Sequence, residues 1–279
     1  MEQKGIDHIV KRIFRKLNNY LSLIKLNYDT EVIHNFRVEV KNLRALLRLL
    51  STVLDDPDDL KLPRSLKEIY ASAGRIRDIQ LQITRMEEAG KQILAPGYLL
   101  YLQFELGRRK KAFHDLFKAK SYAKAKEKIM ENLPEPMPVP AIIDFYNKKM
   151  GFVRSLLAAI ELPDEDWHRV RKVIKDLVYI FKTLNEEISG NLQATFWNEE
   201  QLAHAGAIAH ELGRFNDVCI ALNFLRPSWL IEFIPQERKQ LQSLRLAWLS
   251  HKRNLKVLLT GQYGPSILTI LKPVEVLTV

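Results

Sequence analysis

Four cations and one imidazole recur at alternating steps of three and four in the stretch HNFRVEVKNLRALLR: His34, Arg37, Lys41, Arg44 and Arg48. At about 100° per residue the five share one helical strip roughly 80° wide. Each of these side chains suits a phosphate oxygen. Arginine offers a planar fork of donors, lysine a mobile point charge, and histidine a donor from either ring nitrogen. Like charges at this spacing repel by a few tenths of a kcal/mol per pair, so the strip calls for an anionic partner.

The pattern returns in HRVRKVIKDLVYIFK, where His168, Arg171, Lys175 and Lys182 take the same angular places and only Val178 breaks the match. An echo follows each copy: Gly74-Arg75-Ile76-Arg77-Asp78 after the first, Gly213-Arg214-Phe215-Asn216-Asp217 after the second. The chain is an internal duplication. Arg75 and Arg214 hold equivalent places and are expected to close each strip from a facing helix. Asp78 and Asp217, one turn on, are expected to orient those arginines rather than to do chemistry. Arg77 is matched by Asn216, so it lacks a counterpart.

The elements that position these residues read as helices. Phe36, Val40, Leu43, Leu47 and Leu50 fall beside the first strip, and Val170, Ile174, Leu177, Phe181 and Leu184 beside the second, so each helix can bury one face and present the other. A helix over residues 6–27 precedes the first strip, and Asp29 or Thr30 can cap the helix that carries it before Asp55-Asp56-Pro57-Asp58-Asp59 breaks the chain. Pro63 opens a third helix running toward Gly90, and a long helical stretch follows Pro96. The segment PEPMPVP, residues 134–140, reads as a stiff non-helical connector. Four helical patterns follow, at about 141–161, 164–189, 198–225 and 233–260, with Gly190 and Gly261 as stops. The last stretch, GQYGPSILTILKPVEVLTV, has lost the helical period and reads as an extended strap on the bundle. The expectation is an all-α chain of two similar bundles, residues 1–133 and 141–279, the second carrying the tail.

Composition narrows the function. The formal charge is +10, and residues 1–133 hold 26 Lys and Arg against 17 Asp and Glu, while residues 134–279 hold 17 against 16. That excess favours anionic partners. A single cysteine, Cys219, rules out an internal disulfide and reads as a core residue. No apolar run reaches the roughly 18 residues a bilayer span needs, and the first residues do not form a secretory signal, so a cytoplasmic protein without membrane contact is expected.

Three rivals fare worse than a phosphate polymer. No two of the seven histidines have the i,i+4 spacing of a helical zinc site, and cationic surroundings repel a metal. The DDPDD stretch fits the DDxxD of all-helical isoprenoid synthases, but its proline spoils the helix face those aspartates need. No GxxxxGK[ST] loop, GxSxG elbow or Rossmann glycine pattern occurs, so neither a cofactor nor catalysis is expected. Nucleic acid is the second choice of partner, because single-strand binders interleave aromatic platforms with their basic groups and neither strip contains one; Phe36, Tyr179 and Phe181 point elsewhere by the angular count.

The same residues resemble a known family. HNFRVEVKNLRALLRLL is similar to the HxxRVxxRRLR signature of the CHAD domain, the conserved histidine α-helical domain, with Lys41 and Asn42 at the usual arginine pair. GRIRDIQL resembles its LGxxRD element, and HRVRKVIKDLVYIF and LGRFNDVCIAL resemble HxxRxxxKxLRY and LGxxND. The resemblance implies two pseudo-symmetric four-helix bundles with a basic central groove or cavity that binds inorganic polyphosphate, and a protein found free in the cytoplasm or on polyphosphate granules. Val178 and Asn42 depart from the pattern, which implies a weaker second strip.

Overall fold

The computed structural model of the chain describes residues 3–58, 60–89, 95–119, 123–134, 136–187, 197–270 and 272. Among these residues every regular element is helical and no strand occurs. Helix α1 (Gln3–Asn27) buries Ile6, Ile9, Ile13, Leu17 and Ile24. It ends at Tyr28, whose φ of 55° reverses the chain. Such a left-handed bend is uncommon for a side-chain-bearing residue. Tertiary contacts hold it, because the Tyr28 ring meets Phe113 edge-on at 5.9 Å and its hydroxyl donates to Lys110 O at 3.1 Å. Asp29 Oδ1 then accepts from Glu31 N and Val32 N at 2.9 and 2.8 Å, capping α2 (Thr30–Leu50).

Prolines punctuate the rest. Pro63 precedes α3 (Arg64–Ala89) and Pro96 opens α4 (Pro96–Ala119), with α5 (Ala123–Glu131) after it. Helix α6 (Val139–Leu157) starts inside the connector, so residues 139 and 140 are helical, contrary to expectation. A first helical turn tolerates proline because its N–H would be unpaired there anyway. The second strip lies on α7 (Asp164–Glu187), followed by α8 (Glu199–Asn223), whose Asn198 and Gln201 form a reciprocal capping box. Helices α9 (Pro227–Leu230) and α10 (Pro235–Leu258) complete the body.

The tail corrects two further expectations. Gly261 does not stop the helix, since the chain passes through a π-helical turn at Leu259–Tyr263 into α11 (Gly264–Ile270). The strap is therefore helical over its first part. It packs against α8, buries Ile267, and leads to Lys272, whose carbonyl accepts from the Tyr146 hydroxyl at 3.2 Å. Burial of an apolar face outweighs the β-branched bias of the stretch. Gly90, Gly190 and residues 273–279 lie outside the described residues.

The two copies repeat one packing order: α1 on α2, α2 on α3 and α3 on α4, then α6 on α7, α7 on α8 and α8 on α10. They join where α2 lies against α7. The main core is continuous across that join, taking Phe36, Leu43 and Leu46 from one copy and Val170, Leu177 and Phe181 from the other. A smaller cluster of Ile79, Tyr98, Leu102, Leu230 and Leu241 ties α4 to α9 and α10. There Gly97 N–H donates to the buried Glu237 at 2.9 Å, and a Cβ on Gly97 would lie 2.9 Å from that carboxylate, so any side chain here would make the carboxylate shift.

Candidate functional site

The apolar faces of α2 and α7 are buried as their periodicity requires, which leaves the two basic strips beside the α2–α7 contact. Their charges act on one another. Burial, then Arg37, Lys175 and Arg171, bring the Lys41 ammonium down to about 7. Burial and the Arg171 and Lys182 charges bring Lys175 down to about 8, with Asp217 pulling the other way. Lys41 and Lys175 come from different copies, so the strips meet in one cationic seam. Both lysines are suppressed first by burial and then by neighbouring cations, which Asp217 opposes.

Arg37 is the best placed of the group. Its guanidinium lies against the bare backbone of Gly74 on α3, where a Cβ would stand 1.7 Å from Nη1. Nη1 donates to Tyr70 O at 3.3 Å, and the guanidinium carbon sits 4.7 Å from the Tyr70 ring centroid. Arg44 approaches the same ring at 4.9 Å. Tyr70 thus sets the spacing of two arginines by cation–π contact. Lys175 stands 5.9 Å from the Tyr179 ring, and burial lifts that phenol to about 12. Aromatic rings do adjoin the seam, contrary to the angular count, because Tyr70 comes from a facing helix and Tyr179 borders the strip.

The remaining strip residues divide. Arg48 is held across the α2–α7 contact by the buried Asp176, whose carboxyl burial pushes up while Arg48, Lys149 and Arg44 pull it down. Lys182 is exposed within the field of Lys175. Burial and the Arg77 charge lower the His34 pKa. His168 is lowered by burial and Lys172, and its Nδ1 lies 2.8 Å from Asn216 Oδ1. That contact draws His168 into a cleft of about 540 Å³ between α7, α8 and α10, which Arg226 and Arg245 also line. Cys219 forms part of the same wall, half-buried rather than in the core, with burial raising its thiol.

The structure does not bring Arg75 or Arg214 into the seam. Arg75 is exposed and turns toward α4, while Arg214 pairs on its own helix with Glu211 at 2.9 Å. The glycine before each is what faces the strip, against Arg37 at position 74, and at position 213 so placed that a Cβ would stand 3.8 Å from the Arg171 guanidinium. The aspartates do not serve those arginines either. Asp78, raised chiefly by burial, is acted on by Arg37, Asp217, Arg85 and Arg77. Asp217 acts on Lys41, Lys175 and Arg85. The two carboxylates thus lie at the meeting of the copies, each under the charge of the other.

Arg85 and Tyr70 are the site residues that sequence reasoning missed. Tyr70 stands one turn before Gly74, and an uncapped mid-helix glycine facing a strip arginine is the signal that flags it. Arg85 offered no signal, lying outside both repeated motifs. Among the described residues Arg85 Nη1 and Arg171 Nε are buried donors without a hydrogen-bond partner. Buried orphan donors are costly and point to an absent acceptor. Among the described residues no three His, Cys, Asp or Glu side chains converge as metal ligands, so what the seam offers is donors and positive potential.

Comparison with known proteins adds a family and a fold. The family pattern described as CHAD domain matches residues 8–226. The crystal structure of the CHAD domain from the plant Ricinus communis is similar over 99% of this chain and 96% of its own, with a TM-score of 0.67 and 17% sequence identity. At that identity the likeness is one of fold. No curated protein matches the chain.

Proposed function

The chain belongs to the CHAD domain family, and we propose that its cationic seam is a groove that binds inorganic polyphosphate without chemical turnover. The observation that carries this reading is the half-buried cation group from opposite copies, in which Lys175 and Arg171 of α7 act with Arg37 of α2 on Lys41. A linear polyanion restores both ammonium groups to their charged form and supplies acceptors to Arg171 and Arg85. A row of donors spaced along two helices suits a repeating phosphate chain better than one compact anion. Tyr70 serves its two arginines rather than a base, which favours phosphate over nucleic acid.

Affinity then comes largely from charge-assisted hydrogen bonds and released counterions. If Arg37, Lys41, Arg44, Arg171, Lys175 and Lys182 each meet a phosphate, log K falls with log salt at a slope of about −4. Charge reversal of Arg37 and Arg44 together abolishes binding of long-chain polyphosphate while leaving helicity intact. Retained affinity in that double variant would refute the seam as the site. RNA is the second reading, and it prevails if RNA displaces bound polyphosphate at equal phosphate concentration and is not itself displaced. Phosphate release in the presence of magnesium would overturn the non-catalytic assignment.

A further inference from the structure

We propose that the cleft between α3, α4 and α9, about 380 Å³ in volume, is a site for a nucleoside phosphate, separate from the polyphosphate groove and chemically unlike it.

The cleft combines two features that the seam lacks together. Its mouth carries two large aromatic side chains exposed to solvent, Tyr101 at 38% and Trp229 at 43%. Exposed aromatic surface beside a concavity is what a planar ring system covers. Tyr101 is held from behind, edge-on to Phe233 at 6.0 Å and stacked on Tyr98 at 6.5 Å. A ring fixed in this way can offer its outer face as a platform at little entropic cost.

Around that platform the charges are mixed. Arg75, Arg108 and Arg109 line the cleft with Asp78 and Glu105. Glu105 is shared between Arg108 at 2.5 Å and Arg109 at 3.3 Å, so one carboxylate occupies two guanidiniums. Arg75 stands on the facing helix and is exposed. Three guanidiniums against two carboxylates leave a small positive surplus. A bare phosphate chain meets both carboxylates as like charges, whereas a nucleoside phosphate satisfies each group. Its phosphates take the arginines, its base covers Tyr101 and Trp229, and its amino or ribose hydroxyl donors meet Asp78 and Glu105. The volume falls within the range of small-molecule pockets. Asp78 also lies in the field of Arg37, so the cleft opens beside the groove without sharing its arginines.

Calorimetric titration of the full chain carrying the Arg37 and Arg44 double charge reversal, which disables the polyphosphate groove, with ADP and, separately, pyrophosphate tests the assignment. The expected result is ADP binding about tenfold tighter than pyrophosphate, the gain that stacking one base on an aromatic ring supplies. Tyr101→Leu and Trp229→Leu, both at exposed positions, should each reduce that preference, and Arg75→Gln, at an exposed position, should weaken ADP without changing the thermal unfolding midpoint. The Arg37 and Arg44 double charge reversal should leave ADP binding intact, which separates this site from the polyphosphate groove. Equal affinity for ADP and pyrophosphate, or wild-type ADP binding in both aromatic variants, would overturn the proposal.

Discussion

The two basic strips descend from one pattern, yet the structure uses them differently. On α2, Arg37 is seated on Gly74 and Tyr70, and Arg44 shares that ring. On α7, Arg171 leaves room for a Cβ at Gly213, which would stand 3.8 Å from its guanidinium, Val178 is buried where Arg44 has its counterpart, and His168 is tied to Asn216. The first copy holds its guanidiniums in place, while the second contributes apolar contact and looser charge. An inverse exchange runs across the join. Asp176 occupies the place equivalent to Asn42, so Arg48 faces a carboxylate, whereas the neutral Asn42 side chain accepts from Thr183 at 3.4 Å. Single residue differences at matching positions of the two strips thus go with a seated set of guanidiniums on α2 and a looser one on α7.

The largest effect that sharpens this contrast is a pH response from the lysines. Lys41 titrates near 7 and Lys175 near 8 in the free protein. Binding a polyanion favours the charged ammonium, so complex formation above pH 7 takes up protons and affinity falls as pH rises. Between pH 7 and 9 the loss should reach about tenfold where Lys175 must be recharged and up to about fiftyfold where Lys41 must be. Titrations at fixed salt check this, with Lys41→Met removing the lower part of the profile and Lys175→Met the upper. A flat profile in the wild type would break the reading. The stability of the free fold moves the other way. In the unfolded chain both lysines stay protonated to about 10.4, so the folded state binds fewer protons from pH 7 upward and grows more stable over that window. Both histidines are lowered below the usual imidazole range, so their protonation adds affinity only on the acid side of that window.

A smaller effect separates the two glycines. Gly74→Ala drives a methyl group into the Arg37 guanidinium, the mobile end of a long side chain, so the fold survives while that arginine is displaced from Tyr70. Polyphosphate affinity should drop several-fold, on the scale of one charge-assisted hydrogen bond. Gly213→Ala has room and should leave affinity unchanged while stabilising α8 by up to about 1 kcal/mol, the helix propensity gain of alanine over glycine. Equal behaviour of the two variants in binding and thermal unfolding would mean that Arg37 is no better seated than Arg171.

Much of the fold was legible because helical periodicity and proline placement are local. The strips of α2 and α7, their buried faces and the Asp29 cap all follow from spacing within single elements. The tail was misread because its helix depends on packing against α8, a contact no local pattern announces. The site was legible on the same terms. His34, Arg37, Lys41 and Arg44 share a strip by their spacing, but which neighbour each would meet was set across helices. Arg75 misled because it sits in a repeated motif, yet in that motif the glycine, not the arginine, faces the strip. Tyr70 and Arg85 lay outside the motifs and entered only through α3 packing.

The smallest effect tests the exchange across the join. Arg48 is half-exposed, yet its guanidinium is committed to the buried Asp176 carboxylate, while Lys182 at the equivalent place is exposed and the residue matching Asp176 in the first copy is the neutral Asn42. Asp176→Asn makes the two copies alike at this position. It removes a negative charge from the field of Arg44 and Lys149 and frees Arg48 to meet a phosphate. Polyphosphate affinity should therefore rise about two- to fivefold, with a salt slope steeper by about one contact. Stability should fall, because a part-buried arginine loses its ion partner, and the thermal midpoint of the free protein records that cost. The bound protein should recover part of it, since the polyanion replaces the lost carboxylate. An unchanged salt slope in Asp176→Asn would show that Arg48 belongs to the join between the copies and not to the groove.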